Sequence, residues 1–545
     1  MEMHFATIWE SAADALPDRP AVVQGDLVLS WREYEERAAR LAGALSAAGL
    51  EPDAKVALFL YNGPEYCEAN FAALKQRMVP INVNYRYLDD ELHYLLENCD
   101  AEAIVFHTSL GDRIARVRER LPLVKLLVQV DDGAAPDGST GVEGAVAYEE
   151  LLARTEPAER IGRSEDDTYM LYTGGTTGMP KGVMYPVGQF TKFFLDQAPP
   201  ILGLPPFDSA ADVGPNLPGL ADQGLLLTAL PACPLMHGTG IWVGVMSPHL
   251  TGSTVTLLEA RSLDADELWR VVESRGVSVL VIVGDAFARP LLRALRDQAD
   301  SGGSYDLSSL RFIVSTGAMF SPDAKQGLME FAPQVIIIDA LGSTEGSMGQ
   351  SVAAGGQTGE VAKFMVTEKT KVFGDDDIEV TAGSDEVGMV ATCDNVPVGY
   401  YKDPEKTART FRVIDGVRWS FPGDMATVDA DGVINFLGRG SNCINTGGEK
   451  VFPEEVEEAV KATAGVRDCL VFGLPDERFG NRVVGVASAE PGVELAAADV
   501  LADVRGRLSS YKLPKELRVV ELVPRAPNGK ADYVGAKELF AGTPE

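Results

Sequence analysis

Residues 172–182 read YTGGTTGMPKG, with four glycines, three threonines and one lysine in eleven positions. Glycine lets the backbone curl so that successive N–H groups face one anion. Thr173, Thr176 and Thr177 add hydroxyl donors among Gly174, Gly175 and Gly178, and Lys181 adds a mobile cation. A flexible turn between strands does not need three threonines and a lysine interleaved with its glycines. The chemistry expected is therefore polyphosphate binding. The pattern is not Walker's, which sets lysine directly after the last glycine; here Met179 and Pro180 intervene.

The elements that must position this loop follow from apolar periodicity. Tyr169–Tyr172 predicts a strand before it, and the apolar run resumes at Val183 and Met184. From residue 29 to residue 130, helices over 31–48, 64–77 and 89–97 alternate with the apolar runs VALFLY, VPINV, AIVF and KLLVQV. Strands separated by single helices predict βαβ units on a parallel sheet. The pattern recurs at VSVLVIV, RFIVS and VIIID, so residues 1–437 read as a large α/β domain, with room for subdomains. Residues 189–224 turn rich in Pro, Gly and Asp, which predicts a long irregular excursion, either over a substrate site or as a disordered insertion. Residues 438–545 predict a small α+β domain: helix 453–464, strands 469–473 and 482–489, helix 497–508, strand 517–522. The glycine-bearing polar junction GRGSN suits a hinge near 439–442.

A chain of 545 residues exceeds one hydrophobic core, and 46% hydrophobic with 23% charged residues is ordinary globular composition. A formal charge of −32 argues against nucleic acid, whose phosphates need basic grooves. Salt adaptation and plain solubility explain the acidity equally. No stretch approaches the roughly 20 apolar residues of a membrane span. The N-terminus lacks a basic start and an apolar run, so a cytoplasmic protein is expected. Six cysteines and five histidines are dispersed without metal-ligand spacing, which predicts reduced, mostly buried thiols.

Further motifs follow in order: LMHGTG (235–240), STGAMF (315–320), DALGSTEG (339–346), FPGD (421–424), LGRG (437–440), NTGGEKVFPEEVE (445–457) and PNGK (527–530). With the phosphate loop, this series resembles the adenylate-forming superfamily of acyl-CoA synthetases, luciferases and adenylation domains. The segments INVNYRYLDDELHYLLEN, GDAFARPLL, NVPVGYYKD, GRGSNCINTGGEKVFPEEVE and GKADY resemble the actinobacterial ligases for steroid side-chain and long-chain fatty acids.

The resemblance implies a reaction using ATP, Mg²⁺ and coenzyme A, in which a carboxylate attacks the α-phosphate and expels pyrophosphate. Phosphoryl charge must then be stabilised. Thr173, Thr176, Thr177 and Lys181 would hold the β- and γ-phosphates. Glu345, behind Gly342 and Ser343, suits a magnesium ligand, or a first-turn helix acid. Thr344 would donate to the α-phosphate. Asp424 would accept the ribose hydroxyls, or sit in a turn. Arg439 would lie near ribose or phosphate, or be a solvated hinge cation. Gly317 and Ala318 would line the adenine, and Asp339 would accept its amino group or cap a helix. Lys530 would stabilise charge during adenylation, delivered and withdrawn as the C-terminal domain turns about Ser441. Gly447 and Gly448 would let the pantetheine arm pass. His237, Gly284 and Asp285 would border the acyl channel, with core packing as the alternative for each.

Three positions depart from the family pattern. Leu341 replaces a tyrosine that stacks on adenine, Pro422 replaces the threonine of TGD, and Ser441 replaces a charged hinge residue. Two other functions remain: a ligase that passes its acyl-adenylate to a separate carrier protein, and a silent nucleotide- or acyl-binding protein. The chain ends soon after Lys530, so an attached carrier is not expected. A homodimer is a family expectation.

Overall fold

A computed structural model describes the chain except at residues 134–141, 176–177, 202–203, 205, 319, 356–362, 365–367, 447–448, 477–479, 509, 527–528 and 542–545. It falls into two compact units. One comprises Met1–Ser347, Val352–Gly359 and Asn395–Phe411; the other comprises Met348–Ser351, Glu360–Asp394 and Arg412–Glu545. Apart from Gly399–Tyr400, which belongs to the first unit, the strands between Lys363 and Arg439 fall largely with the C-terminal segment, ahead of the 437/438 boundary expected from sequence.

The first unit is a mixed α/β body. One sheet orders Val79–Asn82, Lys55–Phe59, Ala101–His107, Leu126–Val130 and Ala145–Ala147, all parallel. The helices between them begin where the sequence signals it. Ser30 caps Trp31–Ala47 in a capping box with Glu33, and Pro64 opens Pro64–Lys75 at its first turn. A larger sheet runs Leu27–Ser30, Pro20–Gln24, Thr254–Leu257, Thr228–Pro231, Val279–Ile282, Phe312–Thr316, Ile336–Ser343 and Gly346–Ala353; its first pair is antiparallel, and the strands from Pro20–Gln24 to Ile336–Ser343 are parallel. Its central strands, Thr254–Leu257, Thr228–Pro231 and Val279–Ile282, are buried on both faces, which is why they read as apolar runs, whereas the edge strand Leu27–Ser30 is exposed.

Residues 189–224 are not the irregular excursion that their composition suggests. Most of the segment is helical, in Val187–Ile201 and Ala210–Asp222, with Pro199, Pro200, Pro215 and Pro218 inside. Phe190 and Phe194 on the first helix, and Val213, Leu217 and Leu220 on the second, recur at helical spacing and are buried. That burial outweighs the backbone hydrogen bonds the prolines cannot make.

The second unit holds an antiparallel sheet in which Asp424–Val428 and Ile434–Arg439 are neighbours. It also holds an α+β segment. There Val466–Asp476 and Gly480–Ala489 form a long antiparallel pair, with Glu516–Val520 parallel alongside and Pro453–Lys461 and Ala497–Val504 as helices. Each of these last five elements lies where the sequence predicts one.

Candidate active site

The phosphate loop is the end of an antiparallel hairpin, Thr168–Gly175 with Gly178–Pro186. Thr173 stands opposite Lys181, and Gly175 opposite Gly178. Thr176 and Thr177 lie outside the described residues. Tyr172 faces Gly182, where a Cβ would come within 2.8 Å of the tyrosine ring and 2.6 Å of Met170 Sδ. Glycine is what allows this close crossing next to Lys181.

A third strand, Gly399–Tyr400, adds to the hairpin from far along the sequence, pairing with Met184 and Val183. It brings Tyr400 and Asp403 to Lys181. Asp403 Oδ2 is 3.2 Å from Lys181 Nζ, while Oδ1 accepts the Lys406 backbone N–H at 3.0 Å and caps the helix Pro404–Thr410. The bond from the Lys406 N–H, helped by Lys181, holds the Asp403 carboxyl below its ordinary range. The Lys181 and Lys406 ammoniums lie 5.9 and 4.8 Å from the Tyr400 ring centroid.

The Tyr400 hydroxyl donates to Glu345 Oε1 at 2.7 Å. Glu345 is buried, and its N–H donates to Ser343 Oγ at 3.1 Å. The neighbouring Thr344 carbonyl accepts from the Tyr185 hydroxyl at 2.9 Å. Leu341, Gly342 and Ser343 end the strand Ile336–Ser343 that delivers this carboxylate. Hard oxygen donors and one or two protein carboxylates suit magnesium, and Glu345 fits that role. Among the described residues, no cluster of three or more His, Cys, Asp or Glu forms a metal site.

Asp339, read from sequence as an adenine acceptor or a helix cap, is in a buried ion pair: Oδ2 accepts from Lys325 Nζ at 2.8 Å. Burial raises its pKa against the pull of Lys325. Gly317, at φ 89°, makes the turn after the strand Phe312–Thr316, a conformation open to glycine; Ala318 follows it, half-buried. Asp285 ties down this turn. It sits in the first turn of the helix Gly284–Asp300 and accepts from Ser321 N and Oγ, both at 2.9 Å, and from Arg289 Nε at 3.1 Å. The Gly284 N–H donates to Ser315 Oγ at 3.0 Å. Asp285 thus has a positioning geometry that sequence does not reveal.

His237 is half-buried, and its carbonyl accepts from the Ile241 N–H at the start of a π-helical stretch, Thr239–Met246. Such stretches recur at functional sites. Trp242 on it donates to the Tyr169 hydroxyl at 2.9 Å and packs edge-on to Phe190, which stacks on Tyr185.

In the second unit, buried Asp424 begins its strand directly opposite Arg439, and the Gly440 N–H donates to the Gly423 carbonyl at 2.8 Å. Ser441 lies in the single helical turn Gly440–Asn442 that follows. Gly447 and Gly448 lie outside the described residues. Lys530 is exposed on a tight loop; its carbonyl accepts from the Ala526 N–H at 2.8 Å, Gly529 has φ 75°, and Arg525 bridges to Ala531. The Arg525 guanidinium is anchored to Asp468 at 2.7 Å.

Sequence reasoning missed Tyr400, Asp403 and Lys406. The available signal was GYYKDPEK itself, where two lysines and two tyrosines flank an Asp-Pro helix start.

Residues 9–388 match the AMP-binding enzyme family, and residues 455–530 match the AMP-binding enzyme C-terminal domain. The chain is 40% identical to the medium/long-chain-fatty-acid–CoA/3-oxocholest-4-en-26-oate–CoA ligase of Mycobacterium tuberculosis, covering 99% of this chain and 97% of that one. It is also 40% identical to the 3-oxocholest-4-en-26-oate–CoA ligase of Rhodococcus rhodochrous, over 99% and 96%. An anthranilate CoA ligase solved with anthranoyl-AMP shares the fold at TM-score 0.82 and 22% identity, covering 99% of this chain and 98% of that one. By its matched stretches and its full-length relatives, the chain belongs to the AMP-binding enzyme family.

Proposed function

We propose that this chain is an ATP-dependent acyl-CoA ligase acting on a long-chain fatty acid or a steroid side-chain carboxylate. It forms acyl-AMP with release of pyrophosphate and then the acyl-CoA thioester. The observation that carries this reading is the assembly of Lys181, Tyr400 and Glu345 at the phosphate hairpin. Support for the substrate class comes from the full-length relatives, both of them ligases for hydrophobic acids.

In this reading the hairpin binds the β- and γ-phosphates through its backbone, Thr173 and Lys181. Magnesium held at Glu345 would neutralise charge on the departing phosphates. Tyr400 fixes the Glu345 carboxylate by its hydroxyl, and Thr344 donates to the α-phosphate. The Gly317–Ala318 turn and Leu341 receive the adenine, while Asp424 accepts the ribose hydroxyls beside Arg439. Lys530 stabilises charge as the substrate carboxylate attacks the α-phosphate. A C-terminal domain from 438 onward, turning at Ser441, then withdraws it so that the CoA thiol can reach the acyl carbonyl past Gly447 and Gly448. His237 and the segment from Gly284 border the acyl group. Among the described residues no helix is long and apolar enough to cross a membrane; a cytoplasmic homodimer is the assembly this reading expects.

The test is pyrophosphate release over a panel of fatty, aryl and steroid acids, followed by assay of the thioester with CoA. Adenylate without thioester would instead indicate a carrier-loading ligase, and binding without pyrophosphate release a silent protein. Lys530→Ala should abolish most adenylation while sparing thioester formation from supplied acyl-AMP; unimpaired adenylation would remove Lys530 from the mechanism.

A further inference from the structure

The segment Asn395–Phe411 packs within the first unit and lies outside both stretches matched to the family. It brings Lys406 to the same aromatic ring that Lys181 uses, at 4.8 and 5.9 Å from the centroid. The ring is a fixed platform. Its backbone is paired into the hairpin, its N–H donates to Thr407 Oγ1 at 2.9 Å, and its hydroxyl is bound to Glu345. Thr407 in turn donates to the Asp403 carbonyl at 2.7 Å, so the start of the helix Pro404–Thr410 is locked against Tyr400.

The two ammoniums are unequally matched. Lys181 has Asp403 Oδ2; Lys406 Nζ forms no ion pair among the described residues, and Asp403 Oδ1 is taken by the Lys406 backbone. Burial and the neighbouring Lys181 ammonium hold the Lys406 ammonium below its ordinary pKa, so the fold keeps two like charges together. Asp403 and Glu345 offset part of the cost of holding them there, and a phosphate anion placed between the two ammoniums would offset more of it. Thr173 stands directly opposite Lys181 across the hairpin.

We propose that Lys406 is a second polyphosphate-binding cation, which grips the β- and γ-phosphates of ATP together with Lys181 and holds the pyrophosphate as it departs. The proposal deepens the ligase reading and rests on it for the identity of the anion. Magnesium pyrophosphate and AMP are the probes, titrated separately by calorimetry into the full chain and into Lys406→Met and Lys406→Arg. Lys406→Met should weaken pyrophosphate binding by about tenfold or more and AMP binding by less than about twofold, since one charge-assisted contact is lost on one side only. Lys406→Arg should recover most of the loss.

Unchanged pyrophosphate affinity in Lys406→Met overturns the proposal. So does an equal loss of AMP and pyrophosphate, which would mean that Lys406 supports the fold. An unmodified chain that does not bind pyrophosphate overturns it as well. Acid-dependent exchange of pyrophosphate into ATP by the unmodified chain is scored separately. Its absence alongside Lys406-dependent pyrophosphate binding would sink the ligase reading and leave the cation pair standing.

Discussion

Lys75 and Lys181 both stand among carboxylates in the first unit, one in a fully buried network and the other in a partly exposed cluster beside a second lysine. Lys75 is fully buried, with Glu10 at 2.7 Å, Glu35 at 2.5 Å and the Phe71 ring beneath it at 4.9 Å. Arg163 closes the network with two bonds to Glu10, at 2.7 and 2.9 Å, and one to the Lys75 carbonyl at 3.1 Å. Two cations meet two anions. Burial pushes the Glu10 carboxyl up, but Arg163 and Lys75 outweigh it and keep its pKa below the ordinary value. Lys181 instead shares Asp403 with a helix cap and has a second lysine as its neighbour. The difference is one of burial: the saturated network holds the N-terminal helix Phe5–Ala15 to the body, whereas the Lys181 cluster, with Asp403 and Glu345 as its carboxylates, is partly exposed.

The largest effect should come from breaking the saturated side. Lys75→Met removes one partner of a buried pair and should destabilise the chain by about 3–5 kcal/mol. The KM for ATP of the folded fraction should be unchanged. Denaturant melts and initial rates check both halves, and an intact melt would show that the network is not a stability element. Next comes Lys181→Ala. Loss of one preorganised cation at developing phosphate charge should cost about 100- to 1,000-fold in adenylation rate. Its melt should stay near that of the unmodified chain, because Lys181 is only one cation in an open cluster. A large loss of stability with little loss of rate would reverse the comparison.

How far sequence alone could have drawn this contrast depends on chain distance. The segments around Lys181 and Glu345 stand out in sequence because glycines and hydroxyls cluster there, and Tyr400 links the two in the fold. The parallel strands were legible too, since burial on both faces writes continuous Val/Ile/Leu runs. Tyr400 was not, because its partner Glu345 is 55 positions away and no spacing rule connects them. Asp339 reads in sequence as an adenine acceptor or a helix cap, yet its observed partner is Lys325, which only the packing of the helix Pro322–Phe331 supplies. The segment 189–224 misled for the opposite reason: its prolines are conspicuous, while the spacing of Val213, Leu217 and Leu220 that decides its helix is quiet.

The saturated network also predicts a pH effect. His4 caps the helix Phe5–Ala15 by accepting from the Ala6 N–H at 3.1 Å. Burial, then Arg163 and Arg77, lower its pKa from 6.5 to about 3. Asp167, 3.8 Å away, would favour the charged ring, but Arg77 holds that carboxylate at 2.8 Å. The unfolded chain therefore binds a proton near pH 6.5 that the folded chain refuses. Stability should fall as pH drops below that value, by at most about 1.4 kcal/mol per pH unit from this group. His4→Asn keeps an oxygen acceptor for the cap and removes the titration. Between pH 7 and 5 it should lose about 2 kcal/mol less than the unmodified chain. Parallel pH profiles would show that His4 is not held neutral by the network.

The smallest effect tests what joins the two lysines of the open cluster. Tyr400→Phe keeps the aromatic ring under Lys181 and Lys406 and removes the hydroxyl that donates to Glu345. A hydrogen bond to a carboxylate is worth about 1.5–3 kcal/mol; at the low end of that range the adenylation rate should fall about tenfold. The magnesium concentration for half-maximal rate should rise, because the freed carboxylate must be reoriented for each binding event. Pyrophosphate affinity measured at saturating magnesium should hold, since both cations keep their platform. If pyrophosphate affinity falls with the rate, the hydroxyl positions the lysines as well as Glu345, and the cluster is one unit rather than a metal side and a cation side.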